Sequence, residues 1–188
     1  PDRPPYTAIR DTQGNLLSWI SENALDESHP YGPYQAGHLL PRYGVLEVDG
    51  IDLHYALTLP PGFDPEGSFP AIVYVYGGPG GAQVERKWSV GLNQVLAREG
   101  FVVFIIDNRG TGNRGTAFDD GIYRNLGGLE VSDQVAGARW LMSQPGIDPK
   151  RIGIHGWSYG GYMTLLALFQ APEVFAAGIA GAPVVDWR

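Results

Sequence analysis

Cysteine is absent from the chain. That excludes disulfides, thiolate metal sites and a cysteine nucleophile. It suits either a bacterial periplasm or a cytoplasm, the two compartments expected. Basic residues are scarce: 13 Lys and Arg stand against 20 Asp and Glu, for a net charge of −7. Non-specific nucleic-acid binding needs a basic face, so nucleic acid is not expected as a partner. No run of about 18 apolar residues occurs, so no membrane span is expected in this chain. Histidine is limited to His29, His38, His54 and His155, with no H-x-x-x-H pair. A metal site is therefore not expected. The opening Pro1-Asp2-Arg3-Pro4-Pro5 lacks the basic and apolar regions of a signal peptide. It reads as the interior of a longer protein.

What is present is turn-rich and apolar. There are 27 glycines and 15 prolines in 188 residues, and hydrophobic residues make up 44%. Tyr6-Thr7-Ala8-Ile9-Arg10 and Leu16-Leu17-Ser18-Trp19-Ile20 flank a glycine-containing loop and predict a hairpin. One hairpin does not hold itself together in water, so it needs a partner sheet. Residues 29–43, with three prolines and two glycines, read as a linker. Residues 45–48 and 51–59 alternate apolar and polar around Asp49-Gly50, the strongest short hairpin signal. Continuous apolar strands then alternate with helices. Strands are expected at 71–76, 101–106, 151–155 and 175–180, and helices at 88–98, 129–143 and 159–170. In the second helix Val131, Val135, Ala138 and Met142 fall at helical spacing. This alternation predicts a mostly parallel sheet of about six strands, covered on both faces, with an antiparallel edge hairpin.

Gly156-Trp157-Ser158-Tyr159-Gly160 sits between a predicted strand and a predicted helix. A G-x-S-x-G in that setting is the nucleophile elbow of the α/β-hydrolases. The turn must be sharp enough to lift the serine oxygen beyond the strand end, and side chains at Gly156 or Gly160 would crowd it. The helix that begins there aims free N–H groups at developing negative charge.

Other candidate residues divide sharply. Gly110-Thr111-Gly112-Asn113-Arg114-Gly115 matches G-x-G-x-x-G. A dinucleotide site also needs a helix at the third glycine and an acid ending the next strand. Thr116-Ala117-Phe118-Asp119 has poor helical signal, and Glu130 falls inside a predicted helix. No cofactor is therefore expected. The preferred reading is a glycine loop with Asp107 and Arg109 in local hydrogen bonds or ion pairs. Val75-Tyr76-Gly77-Gly78-Pro79 follows the first buried strand, where this fold supplies half of an oxyanion hole. Tyr74 and Tyr76 share a strand face, so alternation alone does not choose between them. Tyr76 is nearer the carboxyl end, where open α/β sheets bind ligands. By position it serves equally as a packed aromatic. None of the histidines suits a general base: two lie in the linker, His54 on an edge strand, and His155 beneath the serine. After Ser158 the chain has no histidine and only Glu173 and Asp186 as acids. The fold's order of Ser, then Asp or Glu, then His is thus incomplete here.

Five stretches in order resemble the prolyl oligopeptidase family of serine peptidases, in particular its dipeptidyl peptidase IV branch. They are Val75-Tyr76-Gly77-Gly78-Pro79, Asp107-Asn108-Arg109-Gly110-Thr111-Gly112, Glu130-Val131-Ser132-Asp133-Gln134, residues 156–163 and Ala182-Pro183-Val184-Val185-Asp186-Trp187. The resemblance implies an α/β-hydrolase fold that hydrolyses peptide bonds, releasing N-terminal dipeptides after Pro or Ala. It makes Ser158 the nucleophile. Tyr76 would donate its O–H to the oxyanion, and Tyr159 its backbone N–H. Val184 and Trp187 would wall a small P1 pocket. Residues 1–28 would be the last-blade hairpin of a β-propeller, 29–43 the linker, and 44–188 the N-terminal part of the catalytic domain. The triad Asp and His would follow residue 188, so the chain would work with the rest of its own protein. A homodimer of that parent is compatible with the resemblance. An esterase or lipase on the same fold, and a non-catalytic fragment, remain the alternatives.

Overall fold

Two hairpins come first along the chain, and only the second joins the main sheet. The computed structural model describes residues 2–187. Pro1 and Arg188, the outermost residues of the first and last segments assigned above, lie outside the described residues. Strands β1 (Thr7–Arg10) and β2 (Leu16–Ser21) pair antiparallel as a separate two-stranded sheet. Every β2 residue is exposed, Ile20 to 68%. An apolar strand left this open has no core of its own, as the isolated-hairpin argument requires.

The stretch read as a linker contains a 3-10 helix, Gly32–Gly37. Its surroundings hold it: Tyr31 packs edge-on against Trp88, His38 stacks on Trp88 at 4.1 Å, and Gln94 bonds both the N–H and C=O of Leu39. These contacts claim Trp88, and helix α1 (Leu92–Arg98) begins four residues later than predicted, after Gly91.

Strands β3 (Arg42–Val48) and β4 (Ile51–Thr58) form the second hairpin. Asp49 and Gly50 both take positive φ, the geometry a two-residue turn needs to match strand twist. Then come β5 (Phe69–Tyr74), α1, β6 (Val102–Ile106), the one-turn α2 (Thr116–Asp119), α3 (Leu129–Met142), β7 (Ile147–Trp157), α4 (Tyr159–Gln170) and β8 (Ala177–Gly181). The sheet has six strands in the order β3-β4-β6-β5-β7-β8. The β3/β4 and β4/β6 pairs are antiparallel, and β6/β5, β5/β7 and β7/β8 are parallel. Of the two hairpin strands only β3 lies at a sheet edge, and β4 is an interior strand paired with both β3 and β6.

Two expectations change. The sheet is not equally covered on its two faces. One face buries Val73, Val75, Phe104, Ile106, Ile152 and Ile154 beneath α3 and α4. On the other, α1 shares a cavity of about 590 Å³ with Tyr74, Ile105, His155 and Trp157. A short helix, α2, also follows Gly115, although residues 116–119 carry little helical signal. It makes a single turn, too short to present a phosphate site of the dinucleotide kind.

The topology fixes where a site belongs. From β5 the chain crosses to β6 on one side, and from β7 it crosses to β8 on the other. Open α/β sheets bind ligands where the connections part in this way, at the carboxyl ends of the strands. Here that place lies between the ends of β5 and β7, which carry Tyr76 and Ser158. Among the described residues no helix is long and apolar enough to cross a membrane.

Candidate active site

Ser158 occupies the turn from β7 into α4 with φ 57° and ψ −116°. An L-residue rarely adopts that conformation, so the turn stores strain. Its neighbours explain why two glycines flank it. A Cβ on Gly156 would run into the carbonyl oxygen of Val75 and the backbone of Gly160. One on Gly160 would strike the same Val75 oxygen and crowd the Cα of Tyr76. The elbow therefore presses directly on the end of β5. The Ser158 N–H donates to Gly181 O at 2.9 Å, and Ser158 O accepts from Tyr162 N–H at 3.1 Å. The first-turn N–H groups of α4, beginning with Tyr159, have no carbonyl one turn back to bond and face the serine side. Ser158 is half-buried, and its Oγ has no hydrogen-bond partner among the described residues.

The two tyrosines left undecided by strand alternation go to different surroundings. Tyr74 packs its ring against His155 at 5.0 Å and lines the cavity on the open sheet face. Tyr76 lies beyond the last ladder residue, its ring 6.1 Å from that of Tyr159. The glycine loop after it curls round the Tyr76 ring so tightly that a Cβ on Gly81 would overlap it. The Tyr76 hydroxyl has no hydrogen-bond partner among the described residues, whereas the Tyr159 hydroxyl donates to Glu130 Oε1 at 2.8 Å. One phenol is committed to the core and the other is available.

Glu130, fully buried at the start of α3, is satisfied three ways. Besides Tyr159 it accepts from Gly127 N–H at 2.5 Å and Gly128 N–H at 3.1 Å. Burial, and then the Glu130 carboxylate, push the Tyr159 phenol far above its ordinary range, and Tyr162 upward for the same two reasons. Both stay protonated. Trp187 completes an aromatic row, 5.4 Å from Tyr159 and 5.6 Å from Tyr162. Val184 is half-buried between β8 and Trp187, beside Pro183, which closes on Gly161. Ser158, Tyr76, Tyr159 and Trp187 are thus gathered at one end of the sheet.

The histidines are placed elsewhere. His155 lines the open-face cavity, is half-buried rather than buried, and burial lowers its basicity, leaving the imidazole neutral near pH 7. His29 bonds Asn23, His38 bonds Tyr31, and His54 is exposed on β4. Among the described residues no group of three or more His, Asp or Glu is arranged to hold a metal ion.

The glycine loop after β6 matches the local reading of Asp107 and Arg109. Asp107 accepts from Gln83 N–H at 2.7 Å and Val84 N–H at 3.1 Å. Burial raises its pKa, opposed by those two N–H groups. Arg109 forks onto the fully buried Asp133 and reaches Asp49 at 3.0 Å. Four buried polar residues near the site escaped identification from sequence as individual contributors: Asn108, Glu130, Asp133 and Gln134. The available signal was spacing. Glu130, Asp133, Gln134 and Ala138 occupy one helical face, so acids and an amide sit where apolar residues are expected.

Residues 88–188, more than half of the chain, match the family model described as the prolyl oligopeptidase family. The chain is 36% identical over 188 residues to a Penicillium rubens protein named probable dipeptidyl-aminopeptidase B, covering 98% of this chain and 21% of that one. It is 43% identical over 144 residues to Homo sapiens prolyl endopeptidase FAP, covering 76% of this chain and 19% of that one. The solved structure of Porphyromonas gingivalis dipeptidyl peptidase 4 is similar with a TM-score of 0.90 at 33% identity, covering 99% of this chain and 26% of that one. The chain spans about a fifth of the length of the curated relatives it matches. The mostly parallel sheet, its edge hairpin and the serine turn are those of an α/β-hydrolase, and with the family match over residues 88–188 they lead to one assignment: the chain belongs to the prolyl oligopeptidase family.

Proposed function

We propose that this chain carries the nucleophile and oxyanion hole of a serine peptidase that releases N-terminal dipeptides after Pro or Ala. The observation that carries the reading is the strained Ser158 turn at the parting of the β5 and β7 connections, with the Tyr76 ring 6.1 Å from that of the next residue, Tyr159, and its hydroxyl without a hydrogen-bond partner among the described residues. Residues 1–28 serve as the closing hairpin of a propeller, 29–43 as the linker, and 44–188 as the first part of the catalytic domain. The triad Asp and His come from sequence beyond residue 188.

The chemistry follows from these roles. Ser158 Oγ attacks the scissile carbonyl carbon as its proton passes to the imidazole base. The oxyanion accepts from the Tyr76 O–H and the Tyr159 N–H. The C–N bond breaks, the amine leaves with the proton, and water hydrolyses the acyl-enzyme. Val184 and Trp187 bound a P1 site that takes proline or alanine and excludes larger side chains.

The test compares peptidyl amides carrying proline or alanine at P1 with short-chain esters. The full-length protein is expected to prefer the amides with a free N-terminus, and the 188-residue chain alone is expected to hydrolyse neither. A preference for simple esters would assign an esterase instead. Inactivity of the full-length protein on both would assign a non-catalytic role. Robust amide turnover by the 188 residues alone would overturn the placement of the base.

A further inference from the structure

The loop that carries Tyr76 rests on the segment that follows β6. Asp107 holds its far end through Gln83 and Val84, and the Gly110 carbonyl accepts from Gly80 N–H at 3.3 Å in its middle. Its near end is held by Asn108. That side chain is fully buried, and its Nδ2 donates to Gly77 O at 3.0 Å and to Arg109 O at 2.8 Å. Its Oδ1 accepts from Gln134 Nε2 at 2.8 Å.

The direction of this relay is determined. Gln134 Nε2 also donates to Ile106 O at 2.9 Å, and a carbonyl only accepts. The Gln134 amine must therefore face β6, the Asn108 oxygen must face that amine, and the Asn108 amine must face Gly77. Gly77 itself takes φ 74°, where a side chain is strained, and a Cβ there would crowd Asn108 Oδ1 and Met163 at 3.0 Å each. The Gly77–Gly78 peptide, one residue beyond Tyr76, is thus held from α3 through two buried amides.

We propose that Asn108, aimed by Gln134, is a positioning residue that fixes the reach of the Tyr76 hydroxyl toward the oxyanion. It touches neither substrate nor the reacting atoms and acts through the Gly77 peptide. The proposal rests on the oxyanion role given to Tyr76 above. Small displacements of a catalytic group are costly: about 1 Å loses on the order of 100-fold in rate.

A double-mutant cycle in the full-length protein tests it, reading kcat and KM on a proline amide. Asn108→Ala is expected to lower kcat roughly 10- to 100-fold with KM changed by less than about 3-fold. In a Tyr76→Phe background the same change is expected to lower kcat by less than about 3-fold, because the group it positions is gone. An equal fall in both backgrounds, or no fall in either, would overturn the proposal while leaving the Tyr76 reading standing. If Tyr76→Phe by itself leaves kcat unchanged, the Tyr76 reading fails first and the proposal falls with it. Should Asn108→Ala not fold, the near-isosteric Asn108→Asp replaces it. Its protonated acid restores a donor to Gly77, so its kcat is expected to fall as pH rises through the ionisation of the new carboxyl. A flat ratio to the parent across pH would contradict the role.

Discussion

Replacing Ser158 with glycine is expected to abolish amide hydrolysis and at the same time to raise the apparent melting temperature. Loss of the nucleophile of a serine triad costs on the order of 10⁶-fold in kcat. Stability moves the other way because of the backbone. At φ 57° and ψ −116° a serine is held in a conformation that glycine adopts freely. Such strain is worth about 1–3 kcal/mol. Glycine also gains freedom in the unfolded chain, an offset of about 0.4–1 kcal/mol. The two backbone bonds at this residue, Ser158 N–H to Gly181 O and Tyr162 N–H to Ser158 O, survive the substitution. The net gain is therefore about 1 kcal/mol. Ser158→Ala supplies the control: it removes the same Oγ and keeps the strained φ, so it is expected to be equally inactive without the gain. Thermal unfolding of the three proteins side by side checks this. A lower melting temperature for Ser158→Gly than for Ser158→Ala would show that the turn is not a strain reservoir.

Tyr76→Phe is expected to lower kcat by about 10²–10³-fold, equivalent to about 2.7–4 kcal/mol, the usual loss for one oxyanion donor. The folded state is expected to be nearly indifferent. The deleted hydroxyl has no hydrogen-bond partner among the described residues, and the ring contact with Tyr159 at 6.1 Å is kept. KM should change little, since the bond forms to charge that develops only in the transition state. Tyr159→Phe makes a useful contrast. It removes a buried O–H that donates to Glu130 at 2.8 Å and leaves that carboxylate one donor short. Its main effect is on stability, whereas that of Tyr76→Phe is on rate. An unchanged kcat for Tyr76→Phe would return that side chain to simple packing.

Local signals carried most of the fold. Apolar runs of five or six residues marked the parallel strands, Asp49-Gly50 marked the edge hairpin, and the serine turn carried its own glycines. What local pattern could not supply came from contacts distant in sequence. Trp88 fits the start of a helix by propensity, but His38 and Tyr31 engage it, and α1 begins at Leu92. Tyr74 and Tyr76 are equivalent by alternation and separate only because β5 ends between them, one ring turning to His155 and the other to Tyr159. Val135 and Met142 fall at helical spacing with the apolar residues of α3, yet they are only partly buried, while Asp133 and Gln134 are buried. Those polar residues are inside because each meets a partner from another element, Arg109 or Asn108, and no helical period encodes that. The glycine loop after β6 looked like a dinucleotide fingerprint, and its glycines serve a different need: Gly112 lies against the backbone of Gly80, where a Cβ would be crowded.

Ser158 is the proposed acylating residue. Its most direct test is covalent: treat the full-length protein with a serine-directed phosphonate, digest it, and locate the adduct by peptide mass mapping. One adduct is expected, on Ser158, formed in step with loss of activity and absent from Ser158→Ala. Labelling that survives Ser158→Ala, or inactivation with the adduct on another residue, would contradict that role.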